Sequence, residues 1–350
     1  MKTVYSDKHK LRDAKMEIHG GKIVAPFECP RRAEIILERV VSEELGDVIA
    51  PANYGMDPVL AVHDAGFVQF LETCAVEWAA AGYEGEAIAN CWPTRTMNSP
   101  HIPREIEGKI GHYALASETT ITEGTWEAAL ASKDVALTAT DLVLSGGERA
   151  AFGLCRPPGH HAAIDQFGGY CFLNNAAIAA QHVLDKGAKK VAILDVDFHH
   201  GNGTQHIFYD RDDVLFLSIH GDPMDAFPYF LGHADETGEG KGDGFNLNIP
   251  LPPGAKYSVW KAALETCLER IREFGAETVI ISLGLDTFED DPISFFKLES
   301  DDFTDYGAMI ASLDLPTVFI LEGGYAVDDV GVNTVNVLQG FEAHCRRKDR

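Results

Sequence analysis

Six residues with reactive or polar side chains crowd one short stretch of this chain: Asp195, Asp197, His199, His200, Asn202 and Thr204. They follow an apolar run at 191–194 (Val-Ala-Ile-Leu), which reads as a buried parallel strand bounded by Lys189 and Lys190. Carboxylates and imidazoles therefore gather at the carboxyl end of a strand, where open α/β sheets hold their ligands. Two acids and two imidazoles are costly to bury together without a counter-charge, and a divalent metal is the simplest one. Asp197 and His199 are two apart, so on extended backbone their side chains leave the same face and can share one ion.

Three more segments end strand-like runs with reactive groups. One carries Cys155, Arg156, Gly159, His160 and His161; another Asp286, Asp290 and Asp291; the last Glu322, Gly323, Gly324 and Tyr325. Asp197, His199 and Asp286 form a mixed nitrogen and oxygen set suited to zinc, and three protein ligands with an open position mark a catalytic site. Such an ion makes its water acidic enough to ionise near neutral pH. His160 and His161 are both candidates for the base, and the Tyr325 hydroxyl is a candidate donor to the oxyanion of a tetrahedral intermediate.

These groups need a scaffold. Strand-like runs occur at 142–144, 191–194, 214–218, 279–283 and 317–321. Helix-like patterns lie at 174–186, ending at Gly187; at 258–274, between Ser258 and Gly275; and at 303–313. This alternation predicts a single α/β domain, a mainly parallel sheet with helices on both faces. The segment 83–110 breaks the rhythm with Gly, Pro, Asn and Thr, including Ser99 and Pro100, and a loop that long is usually functional.

Composition narrows the function. The net charge of -25 argues against nucleic acid and anionic membrane surfaces, and it is compatible with a cationic substrate. Seven cysteines without a C-x-x-C pair read as buried thiols in a reducing compartment. With no apolar leader at the N-terminus and no run of membrane-spanning length, the expectation is a cytoplasmic protein.

In order and spacing, the four reactive segments resemble the histone deacetylase family of zinc amidohydrolases. Arg12, Asp13, Gly82 to Glu86, Arg156 to His161 and Asp286 to Phe296 are similar to the bacterial acetylpolyamine amidohydrolases within it. The resemblance covers nearly the whole chain. It implies an arginase-deacetylase fold over 1–345, with zinc on Asp197, His199 and Asp286 and with Tyr325 polarising the amide carbonyl. It further implies a structural potassium on Asp195, Asp197, His199, Ser218 and Ile219, and a second on backbone oxygens of Phe208, Arg211, Val214 and Phe245. In the family's geometry Asp195 orients His160, while position 202 orients His161. Many members carry Asp at that second position; this chain has Asn202. A neutral amide raises an imidazole pKa less than a carboxylate does. His161 is then expected to be neutral and to serve as base and later as acid, with His160 cationic.

Acetylated polyamine and acetylated lysine are alike at the scissile bond, so the choice between them lies in the tunnel and its rim. By resemblance Tyr170 and Phe227 line the tunnel. Glu107 and Glu118 are the candidates for the distal ammonium groups; on one unbroken helix they would share a face about 16 Å apart. The 83–110 segment matches the family's insertion, which builds a homodimer and narrows the entrance against folded protein. The expected activity is hydrolysis of N-acetylpolyamines. The alternatives are a protein acetyl-lysine deacetylase, a dimanganese ureohydrolase, which would want a second Asp where Thr287 and Phe288 follow Asp286, and a binding module without catalysis.

Overall fold

In the computed structural model, which describes residues 1–97, 101–145 and 147–348, the chain builds one eight-stranded sheet and a small hairpin. The strands are β1 (Lys2–Val4), β2 (Glu17–His19), β3 (Lys22–Val24), β4 (Val48–Ile49), β5 (Ala150–Gly153), β6 (Val191–Asp195), β7 (Val214–Gly221), β8 (Asn246–Leu251), β9 (Thr278–Leu283) and β10 (Thr317–Leu321). Around them pack α1 (Pro30–Ser42), α2 (Asp57–Leu60), α3 (Ala65–Ala80), α4 (Ile106–Tyr113), α5 (Thr125–Leu144), α6 (Asn175–Asp185), α7 (Asn202–Phe208), α8 (Tyr257–Phe274), α9 (Ser300–Ala311) and α10 (Val330–Lys348). β2 and β3 form the antiparallel hairpin. Ser99 and Pro100 of the 83–110 segment lie outside the described residues.

The sheet runs β4-β1-β5-β10-β9-β6-β7-β8, and its strand pairs are parallel. Side chains alternate across a strand. Val191 and Ile193 therefore enter one core with Phe67 of α3, Val135 of α5 and Ile178 of α6. Ala192 and Leu194 enter the other, with Ile36 of α1, Trp260 of α8, Tyr306 of α9 and Val337 of α10. Burial on both faces explains the apolar run of β6, and full burial of each Val, Ile or Leu in it contributes about 1.5–3 kcal/mol.

β5, β10, β9 and β6 are neighbours in the middle of the sheet. Because they are parallel, their carboxyl ends open on one edge. That edge is where the four reactive segments begin.

Three sequence expectations need correction, and the first is the helix expected at 303–313, which is α9 and spans Ser300–Ala311. Residues 142–144 are the last turn of α5, whose buried stripe runs through Val135, Ala139 and Val143. The strand of that region is β5, a small-residue run (Ala-Ala-Phe-Gly) with weak strand signal. The helix at 258–274 starts one residue earlier, at Tyr257, with Lys256 at the cap, while Gly275 closes it at φ +73°. Among the described residues no helix is long and apolar enough to cross a membrane.

Candidate active site and metal centre

Asp197 and His199 leave the loop after β6, and Asp286 leaves the loop after β9. His199 Nδ1 lies 3.3 Å from Asp197 Oδ1 and 3.0 Å from Asp286 Oδ2. One ligand atom from each of the three residues lies within 4.8 Å of the others, and all three residues are buried. Backbone N–H groups hold the carboxylates in place: Phe198 N donates to Asp286 Oδ1 (2.8 Å) and Gly323 N to Asp197 Oδ2 (2.8 Å). Gly323 must be glycine here, because a Cβ would stand 2.5 Å from both Asp197 Oδ2 and Asp286 Oδ2.

The donor set fits a divalent metal. Burial and the Asp197 charge push the Asp286 carboxyl up to about 8. Two carboxylates crowded beside one imidazole favour a cation between them.

Next to this group stand two histidines on the segment after β5, with ring centroids 4.1 Å apart. His160 Nδ1 is 2.9 Å from Asp195 Oδ2, and His161 Nδ1 is 2.6 Å from Asn202 Oδ1. The two environments drive them apart. Burial opposes charge on His160, but Asp195 and Asp197 outweigh it and raise its pKa to about 10. His161 is held well below the usual imidazole value, by burial first and then by its positive neighbours His160 and His199. Two titratable groups whose surroundings separate their pKa values are the signature of divided acid and base roles.

Tyr325 sits on the turn after β10. Its N–H donates to Asp291 Oδ2 (2.7 Å). The fully buried Arg32 of α1 grips the same turn, donating from Nε to Gly324 O (2.5 Å) and from Nη2 to Glu322 O (2.7 Å). Its guanidinium also lies over the Tyr325 ring, 4.7 Å from the centroid. Glu28 neutralises part of this charge, accepting from Arg32 Nη1 (3.2 Å) and from Arg156 Nε (2.6 Å).

A cavity of about 440 Å³ leads from the surface to these groups. His161, His199 and Tyr325 lie on it, as do Tyr170, Phe227, Phe198 and Phe295. The Phe227 ring meets His161 edge-on at 5.2 Å, and the Tyr170 ring meets Tyr325 at 5.5 Å. Tyr170 is held at φ +66° by its N–H, which donates to Thr119 Oγ1 (2.7 Å). Three acids also line the cavity: Glu17, Glu118 and Asp225. Glu118 Oε1 accepts from Gly169 N (2.7 Å), and Glu17 Oε1 accepts from the Tyr170 hydroxyl (3.3 Å).

The structure brings together Asp197, His199, Asp286, His160, His161, Tyr325, Asp195, Asn202, Tyr170, Phe227 and Glu118. It does not bring Glu107 to the cavity of this chain. Glu107 lies on α4, where its Oε1 accepts from Asn90 Nδ2 (2.7 Å). The unbroken helix between Glu107 and Glu118 does not form, because α4 stops at Tyr113 and Ala114 is extended.

The positions named for the two potassium ions occupy two places. Asp195 and Ser218 are register partners on β6 and β7, and Ser218 Oγ is 2.8 Å from His220 Nδ1. Phe208 ends α7 and Val214 begins β7. Arg211 N donates to Phe208 O (3.0 Å), and Phe245 O accepts from Phe216 N (3.0 Å).

Sequence reasoning missed Arg32, Glu17, Asp225 and the role of Asp291 in holding Tyr325. A lone arginine at a helix start or an acid in a short hairpin carries no pattern. Asp291 stood inside a noted segment but showed no sign of its partner 34 residues away.

A family model described as the histone deacetylase domain matches residues 26–341. The acetylpolyamine amidohydrolase of Mycoplana ramosa is 58% identical, over 97% of this chain and 99% of the relative. Acetylpolyamine amidohydrolase 1 of Pseudomonas aeruginosa is 52% identical, over 99% of this chain and 100% of the relative. A crystal structure of acetylpolyamine aminohydrolase from Burkholderia pseudomallei superposes with a TM-score of 0.93 at 38% identity, covering 98% of this chain and 99% of that one.

Proposed function

This chain belongs to the histone deacetylase domain family, and we propose that within it the protein hydrolyses N-acetylpolyamines to acetate and free amine. The observation that carries the reading is one cavity with two ends. His161, His199 and Tyr325 line it, with Asp197 and Asp286 grouped against His199, and Glu17, Glu118 and Asp225 line it as well. An acetamide needs the first group, and a substrate with further ammonium charges needs the second. The relatives named as acetylpolyamine amidohydrolases support the same substrate class.

Asp197, His199 and Asp286 would hold the catalytic ion, with zinc as the metal this donor set suits. Such an ion supplies Lewis-acid polarisation and a more acidic water. The chain's own residues do the rest. His161, tied through Nδ1 to Asn202, is left with Nε2 to take a proton from the attacking water and return it to the leaving nitrogen. His160, tied to Asp195, stays charged and stabilises negative charge that develops beside it. The Tyr325 hydroxyl donates to the amide oxygen. Tyr170 and Phe227 flank the alkyl chain. Two potassium ions in the positions named above would stiffen the strand ends.

We infer further that 1–345 act as one catalytic domain in a cytoplasmic homodimer, with the 83–110 insertion narrowing the entrance. Gly111 supports a close seat for that insertion, since a Cβ there would overlap Cys91 O, and Trp92 Nε1 donates to Ala114 O (3.0 Å).

The test is acetate release by metal-reconstituted protein from acetylputrescine, acetylspermidine and an acetyl-lysine peptide. Turnover should require the metal and favour the polyamines. Preference for the peptide would transfer the reading to protein deacetylation, and no acetate from any substrate would remove it.

A further inference from the structure

Beside the described metal centre lies a second ligand set. His160, Cys171 and Glu322 each offer a ligand atom, all within 4.8 Å of one another, and all three residues are buried. They come from the segment after β5, the loop before α6 and the end of β10. Glu322 Oε2 is satisfied by Gly159 N (2.6 Å) and His160 N (3.1 Å). Glu322 Oε1 has no partner, although the residue is 0% exposed. The Cys171 thiol donates weakly to Gly169 O at 3.3 Å. His160 Nδ1 is engaged by Asp195, which leaves Nε2.

A buried carboxylate oxygen without a donor is costly, and it calls for a cation or a proton. The set differs in kind from the oxygen and nitrogen donors of Asp197, His199 and Asp286. A thiolate beside an imidazole and a carboxylate selects thiophilic ions of the zinc and cadmium class. Around such an ion the donor atoms stand roughly 3.5 Å apart, so side-chain rotations closing the triangle by about 1 Å complete the site. Binding displaces the thiol proton and the Nε2 proton of the His160 imidazolium to solvent, and forms one sulfur–metal and one nitrogen–metal bond with no change of oxidation state.

We propose that His160, Cys171 and Glu322 form a second, inhibitory site for a thiophilic divalent cation. The binding rests on these three side chains alone. The inhibition also rests on the role proposed above for His160, because an ion on its ring removes the imidazolium from the active site.

The experiment starts from protein carrying one equivalent of zinc and titrates cadmium. It reads three signals together: bound metal per subunit, the ultraviolet thiolate-to-cadmium band, and acetate release from acetylputrescine. The Asp197, His199 and Asp286 set has no sulfur, so exchange there gives no band. A second equivalent should bind with a saturable band, and activity should fall in step. Cys171→Ser keeps a donor for Gly169 O; it should lose that part of the band and raise the inhibitory cadmium concentration at least about tenfold. Glu322→Gln should weaken binding while the thiol remains. Failure of the parent to take up a second cation, or a band unchanged in Cys171→Ser, overturns the site. A band lost in Cys171→Ser with inhibition unaltered overturns the inhibitory role. A normal band in protein that releases no acetate leaves the site standing and counts against the proposed function instead.

Discussion

Replacing Asn202 with aspartate would give His161 the partner that His160 already has. The chain contains its own control: an imidazole 2.9 Å from a carboxylate is raised to about 10, whereas one 2.6 Å from an amide is held well below its ordinary value. A new charge about 4 Å from the ring centre, at an effective dielectric near 20, is worth about 4 kcal/mol, or roughly three pKa units. The bound metal and the charged His160 offset part of that, so a rise of at least about one unit is expected. The sign follows from the role. His161 works as a base and is active when neutral, so raising its pKa moves the acidic limb of kcat/KM to higher pH. Asn202→Asp should therefore lose activity on the acidic side of its profile and keep it on the alkaline side, without a large loss of Tm. The assay is a pH profile of kcat/KM with acetylputrescine for parent and variant. An acidic limb that stays in place, or one that moves only in Asp195→Asn, would show that His161 is not the base.

Three further outcomes are expected. Arg32→Met removes two hydrogen bonds from the Tyr325 turn and the cation over its ring; kcat should fall about 100-fold, and stability by about 3–5 kcal/mol. A folded variant with unchanged kcat would mean that Tyr325 holds its position without the clamp. Glu118→Gln keeps an acceptor for Gly169 N but loses the charge, so KM for acetylspermidine should rise about 10- to 100-fold, while an acetylated amine with no second nitrogen is unaffected. Equal effects on both would point to a structural carboxylate. His63 is buried with Nδ1 2.8 Å from Ala163 O and Nε2 accepting from Asn174 N (2.9 Å), and burial lowers its pKa to about 4. The unfolded chain therefore binds a proton below about pH 6.5 that the folded chain refuses until about pH 4, and stability should drop by up to about 1.4 kcal/mol per pH unit in that window and not above it. Urea unfolding of the parent and His63→Gln at pH 7 and pH 5 checks this; identical pH dependence would contradict it.

Most of the reactive groups are legible in the sequence itself. Asp195, Asp197, His199, His160, His161, Asp286 and Tyr325 each follow an apolar run within a few residues. A parallel sheet sends the carboxyl ends of such runs to one edge, so local sequence implied their convergence. The strands buried on both faces were equally plain, because β6, β7, β9 and β10 each carry a run of three or four consecutive apolar residues.

What remained hidden depends on pairs far apart in the chain. Arg32 reaches Gly324 across 292 residues and Glu28 reaches Arg156 across 128. Composition alone gives no hint that either is buried. β5 is too small and Ala-rich to read as a strand, and only parallel pairing with β1 and β10 makes it one. Glu107 and Glu118 look equivalent as letters, yet the helix break after Tyr113 sends one to the insertion and the other to the cavity wall. Reactivity and strand ends are local properties that spacing records. Charge burial, clamp geometry and the shape of the entrance arise only when distant segments share one volume.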